Sequence, residues 1–153
     1  MIERLISGAQ TGADRAALDV ALELNIPCGG WVPKGRLAED GIIPEHYPNL
    51  IETPSSAMEV RTEWNIRDSD ATLILSHGPL DGGSLYTRIK AEELSKPWLH
   101  LDLAKTGPEQ ASKMAKDWLT KVQPRTLNVA GPRASKDTRI YSRTLQILRQ
   151  LLK

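Results

Sequence analysis

The sequence has no phenylalanine and a single cysteine, Cys28, among its 153 residues. One thiol excludes an internal disulfide, so burial and hydrogen bonding must hold the fold together. Histidine is equally scarce. His46, His77 and His100 fall at no spacing that zinc ligands adopt, which argues against a structural metal. A charge excess is missing too, since 20 lysines and arginines nearly balance 19 aspartates and glutamates. No global field therefore draws the chain onto nucleic acid or an anionic membrane, and any anion site has to be local. The opening stretch MIERLISGAQTG carries no long apolar run behind a basic segment. Neither a signal peptide nor a membrane span is expected, and the cytoplasm is the default address.

What is present is enough apolar material, 40% of the residues, for one domain with a real core over residues 1–153. Short apolar runs alternate with helical periodicity. RLISGA from Arg4 reads as a strand, and Ala17, Val20, Ala21 and Leu24 recur at helical spacing over a helix beginning near Ala13. IPCGGWVP is a second strand, followed by a long polar connection, GRLAEDGIIPEHYPNL, with little period of its own. Ser55 or Ser56 then caps a helix over Ala57 to Arg67, with Val60 and Trp64 facing inward. ATLILS, Ala71 to Ser76, is the clearest buried strand. A loop and a helix through LYTRIKAEELS follow, and then PWLHLDL, which puts Leu99, Leu101 and Leu103 on one face. From Gly107, the residues Ala111, Met114, Ala115, Trp118, Leu119 and Val122 form a strong amphipathic stripe. TLNVAGPRAS is a last strand with its exit loop, and Tyr141, Thr144, Leu145, Leu148, Leu151 and Leu152 stripe a final helix. This alternation predicts an α/β fold, a Rossmann-like three-layer α/β/α sandwich with a mainly parallel sheet. The stripes through Trp118 and Leu148 can be satisfied within one chain.

In such a sheet, ligands bind outside the carboxyl ends of the strands, and the unusual residues of this sequence gather there. The turn GAQTGAD, Gly8 to Asp14, brings glycines to a strand-to-helix junction, where backbone N–H groups and the helix dipole favour an anion. It has neither the Gly-Lys-Ser/Thr ending of a Walker loop nor the G-x-G-x-x-G order of a dinucleotide fingerprint. GGWVPKGR sets Lys34 and Arg36 around Gly35, with Trp31 upstream, a combination suited to an anionic ligand with a planar ring. Arg61, Asn65 and Asp68 share one helix face, with Thr62 beside them. DGGS, Asp81 to Ser84, and AGPRAS, with Arg133 and Ser135, repeat the anion-accepting theme. Each stretch also has a plain structural reading, as a turn, a solvated charge or the wet side of a helix. Convergence of several at one sheet edge favours a binding site. No Ser-His-Asp set, cysteine-histidine motif or isolated carboxylate pair stands out, so the apparatus reads as one that holds an anion rather than one that breaks a bond.

SGAQTGADRAALDVA, GGWVPKGRLAEDG, RTEWNIRDSDATLIL, DGGS and NVAGPR together resemble the circularly permuted YpsA family, whose members go by the name of molybdenum carrier proteins. The resemblance covers nearly the whole chain. It implies membership of the Rossmann-like SLOG superfamily and a carrier that binds molybdenum cofactor (molybdopterin), a phosphate-bearing pterin, or an oxyanion such as molybdate as cargo. By position it implies ligand contacts at Gly8, Gln10, Thr11, Gly12 and Asp14, at Lys34 and Gly35, and at Arg61 and Asn65. The remaining implied contacts are at Gly82, Gly83 and Ser84 and at Gly131 and Arg133. It implies homo-oligomers as well, and a permutation that puts a first-strand phosphate motif, NVAGPRAS, last. Ser84 stands where relatives often carry threonine, which keeps the hydroxyl. The catalytic glutamate of the phosphoribohydrolase relatives has no counterpart at the expected spacing. An N-glycosidase, with Asp14 or Glu92 assisting the departing base, is the alternative to a carrier. A nucleotide-derivative sensor or an interaction module with a vestigial pocket also stays open.

Overall fold

The structure is a computed structural model describing residues 1–153. β1 (Arg4–Ile6) runs through a glycine turn into α1 (Ala13–Glu23), and β2 (Cys28–Val32) follows. Two short strands, β3 (Leu37–Ala38) and β4 (Gly41–Ile42), form an antiparallel hairpin ahead of β5 (Leu50–Glu52). Next come α2 (Met58–Arg67), β6 (Ala71–Ser76), α3 (Gly82–Glu93), β7 (Trp98–Asp102), α4 (Pro108–Val122), β8 (Thr126–Ala130) and α5 (Ile140–Leu152). Six strands pair in parallel in the order β5-β2-β1-β8-β6-β7, so the predicted parallel sheet is present. Helix α5 packs on both α1 and α4, while α2 packs on α3, which gives the two helical layers of a Rossmann-like sandwich. No helix is long and apolar enough to cross a membrane.

The last strand of the chain lies at the centre of the sheet. β8 pairs with β1 through Leu5↔Leu127 and with β6 through Leu73↔Val129. A strand buried on both faces reads as a mostly apolar run rather than an alternation, and β6 is buried at all six positions, with Thr72 and Ser76 its polar members. The core runs from Leu5, Leu73, Leu75, Leu127 and Val129 on the strands to Ile140, Ile147 and Leu148 on α5. α1 faces it with Ala13, Ala16, Ala17 and Ala21, all fully buried. Side chains that small let the helix lie close on β1 and β8. The stripe through Trp118 and Leu148 is spent inside the chain, against this core.

Three local expectations need correction. The long polar connection holds the β3–β4 hairpin and an edge strand, since β5 pairs with β2 through Gly30↔Leu50, Trp31↔Ile51 and Val32↔Glu52. Strands of two or three residues carry no period to read. On α2 the buried residues are Asn65 and Ile66, whereas Val60 and Trp64 are half-buried. Trp64 sits edge-on to Trp31, with ring centroids 4.8 Å apart. Neither serine is the N-cap of α2. That position is Ala57, whose N–H donates to Ser55 Oγ at 3.0 Å.

Candidate functional site

Parallel strands bring their carboxyl ends to one edge, and a cleft of about 540 Å³ opens there between α2 and α3. Its floor is the end of β8 and the turn after it, Asn128 to Arg133. One wall is the loop after β1 together with the polar face of α2. The other is the first two turns of α3. Of the residues implied by the sequence, Gly8, Gln10, Asp14, Arg61, Asn65, Gly82, Gly83, Ser84, Gly131 and Arg133 line the cleft. Volumes of about 300–1,000 Å³ are usual for small-molecule sites.

Arg61 is the central cation. Its Nη1 donates to the Gly8 carbonyl at 2.8 Å and its Nε to Thr62 Oγ1 at 3.2 Å, and no carboxylate forms an ion pair with it. A Cβ on Gly8 would stand 2.5 Å from Nη1, so glycine there is what lets the guanidinium lie over the first loop. Burial pulls the Arg61 pKa down, against the field of Asp14. Asp14 itself is 6% exposed. Burial pushes its pKa up to about 6, although the Arg61 charge and the Gln10 N–H oppose the shift. The site thus holds an arginine short of partners beside a carboxyl that titrates close to neutrality, an arrangement met at functional sites.

The opposite wall supplies dipoles. Asp81 precedes α3 without capping it through its side chain, and the N–H groups of Gly82, Gly83 and Ser84 take no partner in the fold. α1 is different. Ala13 N–H donates to the Pro132 carbonyl at 3.4 Å, Gln10 N–H to Asp14 Oδ2 at 3.3 Å, and Thr11 N–H to the side chain of Gln10 at 3.0 Å. The first glycine turn, which resembles a phosphate loop, spends most of its amides inside the protein, including Arg15 N–H on the Gln10 carbonyl, and leaves those of Gly12 and Asp14 without a partner. DGGS leaves all three first-turn N–H groups of α3 free, against one of three in α1.

Four implied residues lie outside the cleft lining. Lys34 is exposed, and its backbone N–H bonds the Ser55 carbonyl at 2.9 Å. Gly35 N–H bonds Glu52 Oε1 at 2.7 Å. Trp31, read beside them as a ring platform, donates its indole N–H to Asp68 at 2.7 Å on the outer side of α2. The Thr11 hydroxyl joins Glu39 and accepts the Ala134 N–H at 3.0 Å. Gly12, at φ +84°, passes so close to the Pro132 carbonyl that a Cβ would collide with it. Gly12→Ala therefore combines left-handed strain with a backbone clash, and a loss of about 2 kcal/mol or more in urea unfolding is expected. An unchanged midpoint would remove Gly12 from this role. Asn65 lines the cleft but uses its amide on the Trp31 backbone, accepting N–H at 2.8 Å and donating to the carbonyl at 3.0 Å.

Sequence reasoning missed the residues that hold these loops. Glu39, from the β3–β4 hairpin, takes the hydroxyls of Thr11 and Ser135, which hold its pKa below the usual range. It also lies 3.4 Å from Arg133 Nε. Its neighbour Asp40 clamps Arg15 through two bonds of 2.5 and 2.8 Å. Lys136 pairs with Asp81 at the mouth of α3. Glu92, by contrast, is exposed on α3, pairs with Arg88 at 3.4 Å, and does not reach the cleft.

A family model described as the circularly permutated YpsA SLOG family matches residues 5–152. No curated protein matches the chain. Among solved structures, the crystal structure of a "putative molybdenum carrier protein" from Syntrophus aciditrophicus SB is similar with a TM-score of 0.97 and 52% identity. The match covers 99% of this chain and 96% of that one. The agreement spans the sheet, both helical layers and the hairpin, well beyond the glycine loops. A permuted family also fits a sheet whose central strand comes last in the chain. The chain belongs to the circularly permutated YpsA SLOG family.

Proposed function

We propose that this protein is a carrier that holds an oxyanion-bearing small molecule in the cleft between α2 and α3. The cargo would be the phosphate-bearing pterin of molybdenum cofactor, or molybdate itself. The observation that carries the reading is the pairing of Arg61, a cation without a carboxylate partner, with the three free N–H groups at the start of α3. The name of the similar protein from Syntrophus aciditrophicus supports the choice of cargo. Ser84, in the first turn of α3, adds a hydroxyl, while the rim cations Arg133 and Lys136 are paired with Glu39 and Asp81. The donors are N–H groups and cations, which suit oxyanion oxygens rather than a bare metal ion.

Native mass spectrometry of protein purified from cofactor-producing cells is the direct test. An adduct with the mass of a pterin phosphate or a molybdenum oxyanion is expected, and a nucleotide adduct would redirect the reading to a sensor. Of the two carboxylates considered for an N-glycosidase, Asp14 lines the cleft, together with Glu59 and Asp81, and Glu92 does not. Incubation with a nucleoside monophosphate is accordingly expected to release no free base. Release at a rate that collapses in Asp14→Asn would overturn the carrier.

A further inference from the structure

The cleft does not end at α3. Beyond the Lys136–Asp81 ion pair a second compartment of about 320 Å³ opens, and the two share Asp81, Ser84, Pro132 and Lys136. The shared residues are the start of α3 and the turn facing it. An anion held by the free N–H groups of α3 would therefore lie at the junction, with space on both sides. A phosphate monoester has one organic side and fills one compartment. On the reading of the cleft as an anion site, we propose that the ligand carries an organic head on each side of its phosphate, as diphosphate-bridged compounds do, and that the second head is rich in hydroxyl groups and lies against His77.

The walls of the second compartment select that head. Pro79, Leu80 and Pro132 are its apolar side chains and the other eight lining residues are polar or charged, so a head rich in hydrogen-bonding groups matches more of the wall than an aromatic ring does. Lys136 is balanced by Asp81, which leaves Arg139 as the cation without an ion-pair partner and little surplus for a further anion. His77 supplies the specific contact. Its Nδ1 lies 2.7 Å from Asp137 Oδ2, and the two side chains are 10% and 12% exposed. The carboxylate occupies Nδ1 and orients the ring. What the ring then offers is Nε2, which has no partner in the protein. A hydroxyl can donate to or accept from such a nitrogen, and a sugar-like head brings several. Arg139, whose backbone N–H also bonds Asp137 at 3.0 Å, faces the same space and can donate to the head's oxygens.

His77 and Asp137 also tie the loop after β6 to the loop after β8, so the test has to separate a ligand contact from a latch. Guanine carries the same amino-oxo pyrimidine pattern as a pterin, which makes GMP, GDP and GDP-mannose a graded set of probes for isothermal titration with the whole protein. GDP-mannose is expected to bind at least tenfold tighter than GMP or GDP. In His77→Phe and in Asp137→Asn this advantage should disappear, while the affinity for GMP stays within about twofold. Thermal melting accompanies each titration. If GMP binds but GDP-mannose gains nothing over it, the two-headed ligand is overturned and the anion site stands. The two-headed ligand is equally overturned if the gain survives His77→Phe, or if both variants lose GMP and GDP-mannose affinity equally along with melting temperature. If neither GMP nor inorganic phosphate binds, the anion site itself fails and this inference with it.

Discussion

Replacing Arg61 by alanine is expected to weaken phosphate binding by roughly a hundredfold or more, because truncating one partner of a desolvated charge contact costs about 2–5 kcal/mol. The guanidinium is held in place before any ligand arrives, by the Gly8 carbonyl at 2.8 Å and Thr62 Oγ1 at 3.2 Å, so little ordering cost falls on binding. Arg61→Lys keeps the charge but loses the planar fork, and should recover part of the affinity. Gly8→Ala reaches the same group from the other side. A Cβ 2.5 Å from Nη1 displaces the guanidinium while leaving the arginine in the chain. Calorimetry on all three variants, with melting temperatures alongside, separates loss of the contact from loss of the fold. Were phosphate to bind Arg61→Ala as tightly as the parent, the cleft could not be the anion site.

The fold was legible where period and length carried it. β6 is a run of six buried residues and α4 an amphipathic stripe of four turns, and both lie where their sequence places them. β3, β4 and β5 were not legible. Two- or three-residue strands take their structure from a neighbour, here β2 in the case of β5, and nothing local announces that pairing. The site divides in a similar way. DGGS signals a free helix N-terminus because the glycines and the helix are adjacent in the chain. The contacts that set the loops are long-range, such as Glu39 to Ser135 and His77 to Asp137, and no spacing rule brings residues so far apart together.

Polar residues on a helix face were the hardest to sort. Arg61 and Asn65 stand one turn apart on α2 with similar claims. Asn65 closes both its bonds on the Trp31 backbone, whereas Arg61 keeps donors in reserve. Only the position of β2 beneath the helix decides between them. Gly8 and Gly12 divide likewise. One makes room for a side chain of the site and the other for the backbone of a neighbouring loop.

Asp14→Asn is expected to raise stability at pH 7–8 by up to about 3 kcal/mol, an uncommon gain for a single polar substitution. The magnitude follows from a carboxyl pKa raised from 3.8 to about 6, at roughly 1.4 kcal/mol for each unit. Because the folded state holds the proton more tightly than the unfolded chain, the penalty is absent below pH 3.8, grows up to about pH 6, and is complete above it. The parent should therefore lose stability as pH rises through that window. The asparagine variant should not, and the two should converge in acid, where the protonated carboxyl and the amide are nearly isosteric. Asparagine can still accept the Gln10 N–H that Asp14 Oδ2 takes at 3.3 Å. Anion binding should show the matching dependence. Sulfate, which keeps its charge across the range, should bind the parent less tightly as Asp14 ionises beside Arg61, and the variant should flatten that slope. Urea unfolding from about pH 4 to 8 checks the first claim, and a variant less stable than the parent at pH 8 would refute it. A typical fold has about 5–15 kcal/mol of net stability, so a buried carboxylate with that penalty is a large cost. It sits beside Arg61, the cation of the wall that has no carboxylate ion-pair partner. If the cleft holds an anion beside Arg61, that hold is expected to weaken as Asp14 ionises, and Asp14→Asn is expected to remove the dependence.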